Sequence, residues 1–180
     1  EMSNGTVYNY FSTKDEVLDA VAIELASRFS GTVRVLGEST TSGAERVSLG
    51  TRMYIQRAKE DPQWAKALVR LVNFHMGLNS AVASFISSDI HAGVLEGDFE
   101  LADEGLAMNM LIASGLLGMR SVIEGTASET IGQDLAFMIL RAFGMNTRDA
   151  NRIVKQPLPV VSEEKEPAPI RKRGRPKKVV

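Results

Sequence analysis

The first residues of the chain have side chains suited to contact DNA. Between Ser3 and Lys14 the sequence predicts a very short helix, capped by Ser3, that is followed at once by a long one. Val7 and Phe11 lie one helical turn apart and can face a core, which leaves other positions of the short helix to project outward. Their hydroxyl and amide groups can reach base edges and phosphates in a major groove, where a lysine neutralises backbone charge. The outward positions are Thr6, Asn9 and Tyr10.

The last residues of the chain form a second segment suited to DNA. The run from Arg171 to Lys178 has an Arg-Gly-Arg-Pro centre that is similar to an AT-hook, an extended element that lies in the minor groove of A·T-rich DNA. Glycine leaves room at the groove floor, proline favours an extended path, and arginines enter a narrow, electronegative groove. The alternative is a generic basic tail held by charge alone. The candidate minor-groove residues are Lys172, Arg173, Gly174, Arg175, Pro176 and Lys177.

The charge of the 180-residue chain is unevenly distributed. The net charge is −1, but six of the 21 basic residues lie between positions 171 and 178, so 15 basic and 22 acidic residues elsewhere give a net charge of −7. This distribution indicates that the tail, more than the body, meets a polyanion. Absence of cysteine excludes disulfides and thiolate metal sites and fits a reducing cytoplasm. We predict neither a metal nor a cofactor.

The apolar spacing predicts an all-α fold with short loops. Thr13-Lys14-Asp15-Glu16 is a capping-box pattern that opens a helix with apolar positions as far as Phe29. After a loop at residues 40–43, further helices are predicted from Val47 to Ala58, from Pro62 to Met76 and from Ser80 to Val94, and a short one from Thr147 to Lys155. Asp61-Pro62 is typical of a helix start. No segment shows strand alternation.

Two further helices, from Ala102 to Glu124 and from Ser128 to Phe143, have apolar residues nearly all round. Such a helix needs two burial partners. One face can pack in the protomer's own core and the other against a second subunit, although a fully internal helix in a monomer would show the same pattern. The longest apolar stretch contains Asn109 and Arg120, so we predict no membrane span. The dimer-interface candidates are Leu106, Met110, Leu117, Leu135, Met138 and Ile139.

The N-terminal residues resemble a known family. The pattern Gly-x-x-Tyr-x-Tyr-Phe-x-x-Lys-x-x-x-Leu resembles the recognition helix and following helix of the TetR family of bacterial transcriptional repressors, and it is matched at Gly5, Tyr8, Tyr10, Phe11, Lys14 and Leu18. The likeness extends over residues 1–150, of which only the first 20 are diagnostic. It implies that Thr6, Tyr8, Asn9 and Tyr10 touch DNA, with Tyr10 and Lys14 mostly on phosphates. Tyr8 can instead lie partly in the core. The better candidates for base contacts are Ser3, Asn4 and Asn9.

The resemblance also gives a domain organisation. Family members have two further helices before the recognition helix, so we expect that an N-terminal portion precedes Glu1 and that the chain as given binds an operator poorly. The expected parts are a helix-turn-helix remnant with connecting helix at 1–30 (recognition helix 4–11), a ligand-binding and dimerisation domain at 31–155, a Pro/Glu-rich linker at 156–170 and the basic tail at 171–180. An extended linker would span about 45 Å, which lets the tail reach A·T-rich DNA beside a docked domain.

The resemblance implies a small-molecule pocket in the middle helices. Each candidate for its lining could equally be a core residue. The candidates are Met53, Tyr54, Trp64, Asn73, His75, Met76, His91, Met108 and Asn109.

The sequence therefore predicts a ligand-responsive repressor. We expect a homodimer that is cytoplasmic and nucleoid-associated and that binds a palindromic operator. No nucleophile-base arrangement or phosphate loop is present, so we predict no enzymatic activity and no catalytic residues. The alternative is an architectural protein of A·T-rich DNA that binds through its tail, in which the body serves only to dimerise.

Overall fold

A computed structural model describes residues 13–37, 40, 42–71 and 81–160 of the chain. These residues form seven helices and no strand, which confirms the all-α prediction. The helices are α1 (Lys14–Leu36), α2 (Gly43–Glu60), α3 (Pro62–Leu71), α4 (Ala81–Leu95), α5 (Glu104–Ile123), α6 (Ile131–Ala142) and α7 (Thr147–Val154). The DNA-contact predictions at residues 3–10 and 172–177 lie outside the described residues, as does the side chain of Lys14.

Side-chain caps fix where several helices begin. The Glu16 backbone N–H donates to Thr13 Oγ1 at 3.1 Å, and the Trp64 N–H donates to Asp61 Oδ1 at 3.0 Å, so both predicted helix starts are confirmed. The helix α1 ends at Leu36 rather than near Phe29. The helix α6 begins at Ile131, not at Ser128 as predicted. At this start the Thr130 hydroxyl bonds the Asp134 carboxylate and caps no amide.

The helix α2 lies at the centre of the body and contributes to two apolar clusters. One cluster joins its first turns to α4, α6 and α7, and includes Phe99 and Phe143, whose rings meet edge to face at 5.2 Å. The other joins the second half of α2 to α1, α3 and α5, and includes Ile55, Trp64 and Leu68. Because both clusters pack on one helix, α2 sets the positions of its neighbours.

The helices α2 and α4 cross with their backbones in close contact. A Cβ atom on Gly43 would overlap the Asp89 carbonyl oxygen and the Gly93 amide nitrogen, so only glycine fits at this point. The Gly43 N–H donates to Glu96 Oε2 at 2.8 Å, which ties the start of α2 to the end of α4. One turn further along α2, Arg46 reaches Asp89. The crossing therefore brings these two charged residues together.

The helices α5 and α6 expose apolar side chains on the surface of the protomer. Leu106, Leu117 and Met138 are 67%, 62% and 67% exposed, and Met110 is 40% exposed. Among the helices described, α5 is long and apolar enough to cross a membrane by length and composition, a criterion that core helices of soluble proteins also meet. Of the other interface candidates, Leu135 is half-buried against both clusters.

The last interface candidate, Ile139, lies in the protomer's own core. It is buried in the first cluster, so its side chain faces inward between α6 and its neighbours. Its role at a subunit interface stays a prediction.

We expect the substitution Gly43→Ala to destabilise the body by about 1 to 3 kcal/mol, because the added methyl group forces the α2 and α4 backbones apart. Gly50→Ala in the same helix is the control. A Cβ there meets nothing within 4 Å, so this variant should be as stable as the wild type or slightly more so. Chemical denaturation measures both, and equal stabilities would contradict the close crossing.

Candidate ligand-binding site

A cavity of about 390 Å³ lies between α1, α2, α4 and α5, with Leu68 of α3 in its wall. This volume falls in the range of small-molecule sites. Most of its lining is aliphatic or aromatic, so the cavity favours a compact apolar molecule. The apolar lining includes Ile23, Val33, Val47, Leu49, Val82, Phe85, Ile86, Leu111, Ile112, Leu116 and Met119.

A pair of hydroxyl groups from α1 and α2 forms one polar point of the cavity. The hydroxyls of Tyr54 and Ser30 lie 2.7 Å apart, and the Tyr54 hydroxyl donates to the Ala26 carbonyl oxygen at 3.0 Å. Burial raises the pKa of the Tyr54 phenol to about 12, against a smaller lowering by the Ser30 hydrogen bond, so the phenol is neutral at physiological pH. The Tyr54 ring packs against Phe29 and Trp64, with centroids at 5.0 and 5.7 Å, which fixes its direction.

An ion pair across the α2 and α4 crossing forms the second polar point. Arg46 Nε donates to Asp89 Oδ1 at 2.6 Å, and the two side chains are 28% and 20% exposed. Burial raises the pKa of the Asp89 carboxyl, and the hydrogen bond and charge of Arg46 oppose that shift. The charged form of a half-buried carboxylate of this kind is stable only while its arginine partner lies beside it.

Two more side chains complete the polar lining on the α1 and α2 sides. The guanidinium of Arg34, which is exposed, lies over the Phe85 ring at 4.9 Å from the centroid. The Thr51 hydroxyl donates to the Val47 carbonyl oxygen at 2.8 Å, within its own helix.

Of the described pocket candidates, Tyr54 alone lines this cavity. Met53 is buried, and Trp64 lies behind Tyr54 in the second cluster. His91 is exposed and faces Glu104, with Nδ1 and Oε2 3.2 Å apart. Met108 packs against the first cluster.

Asn109 is not among the residues that line this cavity. Asn109 is half-buried, and its Oδ1 atom has no hydrogen-bond partner among the described residues. Asn73, His75 and Met76 lie outside the described residues. Ligand contact by any candidate therefore stays a prediction.

Sequence reasoning did not select Ser30, Arg46 or Asp89 for the site. One signal was available: Asp89 is the single Asp, Glu, Lys or Arg residue between Ala81 and Leu95. A lone charge in a helix that is otherwise apolar needs a partner or a polar cavity. Among the described residues there is also no group of three His, Asp or Glu side chains that could hold a metal ion.

We expect the stability difference between the wild type and Tyr54→Phe to depend on pH. The folded pKa of about 12 lies above the ordinary value of 10.0, so the neutral phenol stabilises the fold fully below pH 10. That contribution is lost as pH rises from about 10 to 12, and the difference should narrow over this range. Urea denaturation at several pH values measures it. A difference that stays constant would contradict the buried phenol.

Comparisons with known proteins identify the family of this body. The model of the tetracyclin repressor-like C-terminal domain matches residues 42–156, which contain α2 to α7. The structure is similar to RolR in complex with resorcinol, with a TM-score of 0.77 and 23% identity over 90% of this chain and 81% of RolR. It is also similar to RolR without ligand, with a TM-score of 0.78 and 23% identity over 89% and 84%. No curated protein matches the sequence. Since the family model covers well over half of the chain, the protein belongs to the TetR family of transcription regulators.

Proposed function

We propose that this protein is a repressor whose operator affinity falls when a small molecule binds in the cavity between α1, α2, α4 and α5. Regulators of its family bind operators, form homodimers and bind small-molecule effectors. The cavity is the observation that carries the proposal, because a tightly packed body would have no site for an effector. RolR has been solved with resorcinol and without ligand, which makes resorcinol the first effector to test here.

The helix α1 supports a link between effector and operator. It begins at Lys14, directly after the segment proposed to contact DNA, and its Ile23, Ala26 and Ser30 line the cavity. An effector in the cavity thus touches the helix that continues from the DNA-contacting residues. We propose that the DNA contacts are made by Ser3, Asn4, Thr6, Tyr8, Asn9, Tyr10 and Lys14.

The apolar surface of α5 and α6 supports dimer formation. Its exposed members are Leu106, Met110, Leu117 and Met138, with Leu135 half-buried beside them. A contiguous apolar patch on a soluble protein marks an interaction site. A second copy of the chain is its proposed occupant because a two-fold pair buries the same patch on both subunits. This pairing also suits a palindromic operator.

The C-terminal tail is proposed to add contacts beside the operator. The chain leaves the body at Gln156, whose backbone carbonyl oxygen accepts from Arg52 and whose side-chain amide donates to Glu45 Oε1 at 2.8 Å. The linker from 156 to 170 therefore starts from a fixed point on α2. Residues 172–177 would then enter A·T-rich minor grooves in the flanks and raise the local affinity for DNA.

No catalytic role is proposed. The family consists of regulators and not of enzymes, and the cavity has no nucleophile and base in contact among its described side chains. The two buried hydroxyls and the ion pair are suited to hold a ligand and not to transform it.

The test is operator binding by the protein from its complete gene, measured with and without effector. We expect protection of a short palindrome, and at least tenfold weaker binding at saturating effector, which corresponds to about 1.4 kcal/mol of coupling. Gly115→Met should remove the effector response, because it fills a cavity-lining position with open space. Gly31→Met is the matched control: it also has open space but does not line the cavity.

Two outcomes would contradict the repressor proposal. One is an effector that binds the cavity without changing operator affinity. The other is scattered protection of A·T-rich DNA that disappears on deletion of residues 171–180, which would support the architectural alternative.

We also expect Leu117→Glu to weaken the dimer by about a hundredfold or more, because it places an unpaired carboxylate in an apolar interface. Leu95→Glu on α4 is the matched control. Leu95 is 75% exposed and lies outside the surface of α5 and α6, so this variant should leave the dimer intact. Sedimentation equilibrium measures both. A dimer that tolerates Leu117→Glu would place the interface elsewhere.

A further inference from the structure

We propose that the cavity selects a neutral, compact effector that donates a hydrogen bond from a hydroxyl group, and that it discriminates against carboxylates. This inference rests on the proposed function, because it takes the cavity as the effector site. The polar side chains of the cavity carry it, because the fold alone does not determine which ligand is bound.

The hydroxyl protons of the cavity are largely used in bonds within the protein. The Tyr54 hydroxyl donates its proton to the Ala26 carbonyl oxygen, so in the contact between Tyr54 and Ser30 the proton comes from Ser30. Thr51 and Thr40 likewise donate to carbonyl oxygens of their own segments, Val47 and Gly37. A hydroxyl has one proton and two lone pairs. These four groups therefore present lone pairs, and no free proton, to a ligand. The fifth lining hydroxyl belongs to Ser88, an exposed residue, so water competes with a ligand for its proton.

These bonds favour a ligand that donates a hydrogen bond. A ligand hydroxyl can donate to Ser30 Oγ and add one hydrogen bond without breaking any. At these four hydroxyls a ligand that only accepts must first divert a proton from an existing bond, so it gains a hydrogen bond only where it reaches an arginine N–H or the Ser88 hydroxyl. Since one net hydrogen bond contributes about a factor of ten to an affinity, donors are favoured by about that factor.

The ion pair of Arg46 and Asp89 disfavours an anionic ligand. Arg46 is already bonded to Asp89 at 2.6 Å, so a ligand carboxylate that approached Arg46 would meet the Asp89 carboxylate as well. Displacing Asp89 would leave a largely buried anion without its partner, which is strongly unfavourable. A neutral hydroxyl avoids both costs, because it can accept from the free guanidinium N–H groups or donate to the second oxygen of Asp89.

Arg34, the other cation of the cavity lining, does not favour an anionic ligand either. Arg34 is exposed, and solvent screens its charge. Its guanidinium also lies over the Phe85 ring, which occupies one face of the group. Its charge does act on Asp89, where it lowers the pKa of the carboxyl, but the charge of Glu96 acts there in the opposite direction. The bonded Arg46 and Asp89 pair is therefore the main charged group that a ligand meets.

The experiment measures binding of matched probes to the intact chain by calorimetry, without DNA. The probes are benzene-1,4-diol, its near-isostere 1,4-difluorobenzene, and 4-hydroxybenzoate. We expect the diol to bind at least tenfold more tightly than the difluoro compound, and the benzoate to bind more weakly than the diol by a similar factor or more. Equal affinities for the diol and the difluoro compound, tightest binding of the benzoate, or no binding of the diol would each overturn the proposal.

Two variants assign the effect to the polar points. Ser30→Ala removes the main acceptor and should lower the affinity advantage of the diol over the difluoro compound to about twofold or less. Ser87→Ala is the control, because Ser87 is exposed on α4 and outside the cavity lining. It should leave that advantage unchanged. Asp89→Asn removes the like charge and should strengthen 4-hydroxybenzoate binding by tenfold or more. Unchanged probe selectivity in Ser30→Ala, or unchanged benzoate affinity in Asp89→Asn with the fold intact by circular dichroism, would overturn the assignment.

These results are separate from the test of the proposed function. If the probes follow the expected order but no effector alters operator binding, the repressor proposal fails while the ligand chemistry stands. If an effector releases the operator but donors are not preferred, the ligand chemistry alone fails.

Discussion

The close crossing of α2 and α4 at Gly43 is the constraint on which the site depends. Backbone contact with the Asp89 carbonyl oxygen and the Gly93 amide leaves no room for a side chain, so the two helix axes approach more closely than larger residues would allow. The same approach lets Arg46 reach Asp89 and lets Glu96 accept from the first amide of α2. A larger residue at the crossing would therefore change packing and site electrostatics together.

The central position of α2 also explains why it carries unusual polar groups. It holds Ser48, Thr51 and Arg52 among its buried residues. Burial lowers the pKa of Arg52, and its Nε atom has no partner among the described residues, so this arginine is held at a cost. Within the described part of the chain it bonds the Gln156 carbonyl oxygen, which secures the end of the body where the linker begins. The burial of Arg52 thus fixes where the C-terminal segment leaves the body.

Local signals made most of the fold predictable from sequence, whereas the site depended on contacts between distant residues. The caps at Thr13 and Asp61 are short-range patterns, and both were confirmed. The end of α1 was placed too early because Phe29 was taken as its last apolar position, although Val33 and Leu36 continue the same spacing.

The site residues show the limit of that reasoning more clearly. Ser30 with Tyr54 and Arg46 with Asp89 are pairs separated by 24 and 43 positions, which no helical periodicity relates. Met53 and Trp64 were chosen by residue type. Both are buried, and neither is among the residues that line the cavity. Residue type selected Tyr54, which lines the cavity, but only tertiary packing showed which polar groups lie beside it.

The hydroxyl pair of Tyr54 and Ser30 gives the proposed effector a physical means of acting on α1. Tyr54 belongs to α2, which is fixed by both apolar clusters, and its hydroxyl bonds two groups of α1, the Ala26 carbonyl and Ser30. A ligand that bonds Ser30 makes a contact that depends on the position of α1 relative to α2. A ligand shifts an equilibrium only by its difference in affinity between two states, and a contact spanning two helices supplies such a difference, whereas one confined to α2 does not. On this argument the polar groups that select the effector are also those through which its binding energy would reach the start of α1.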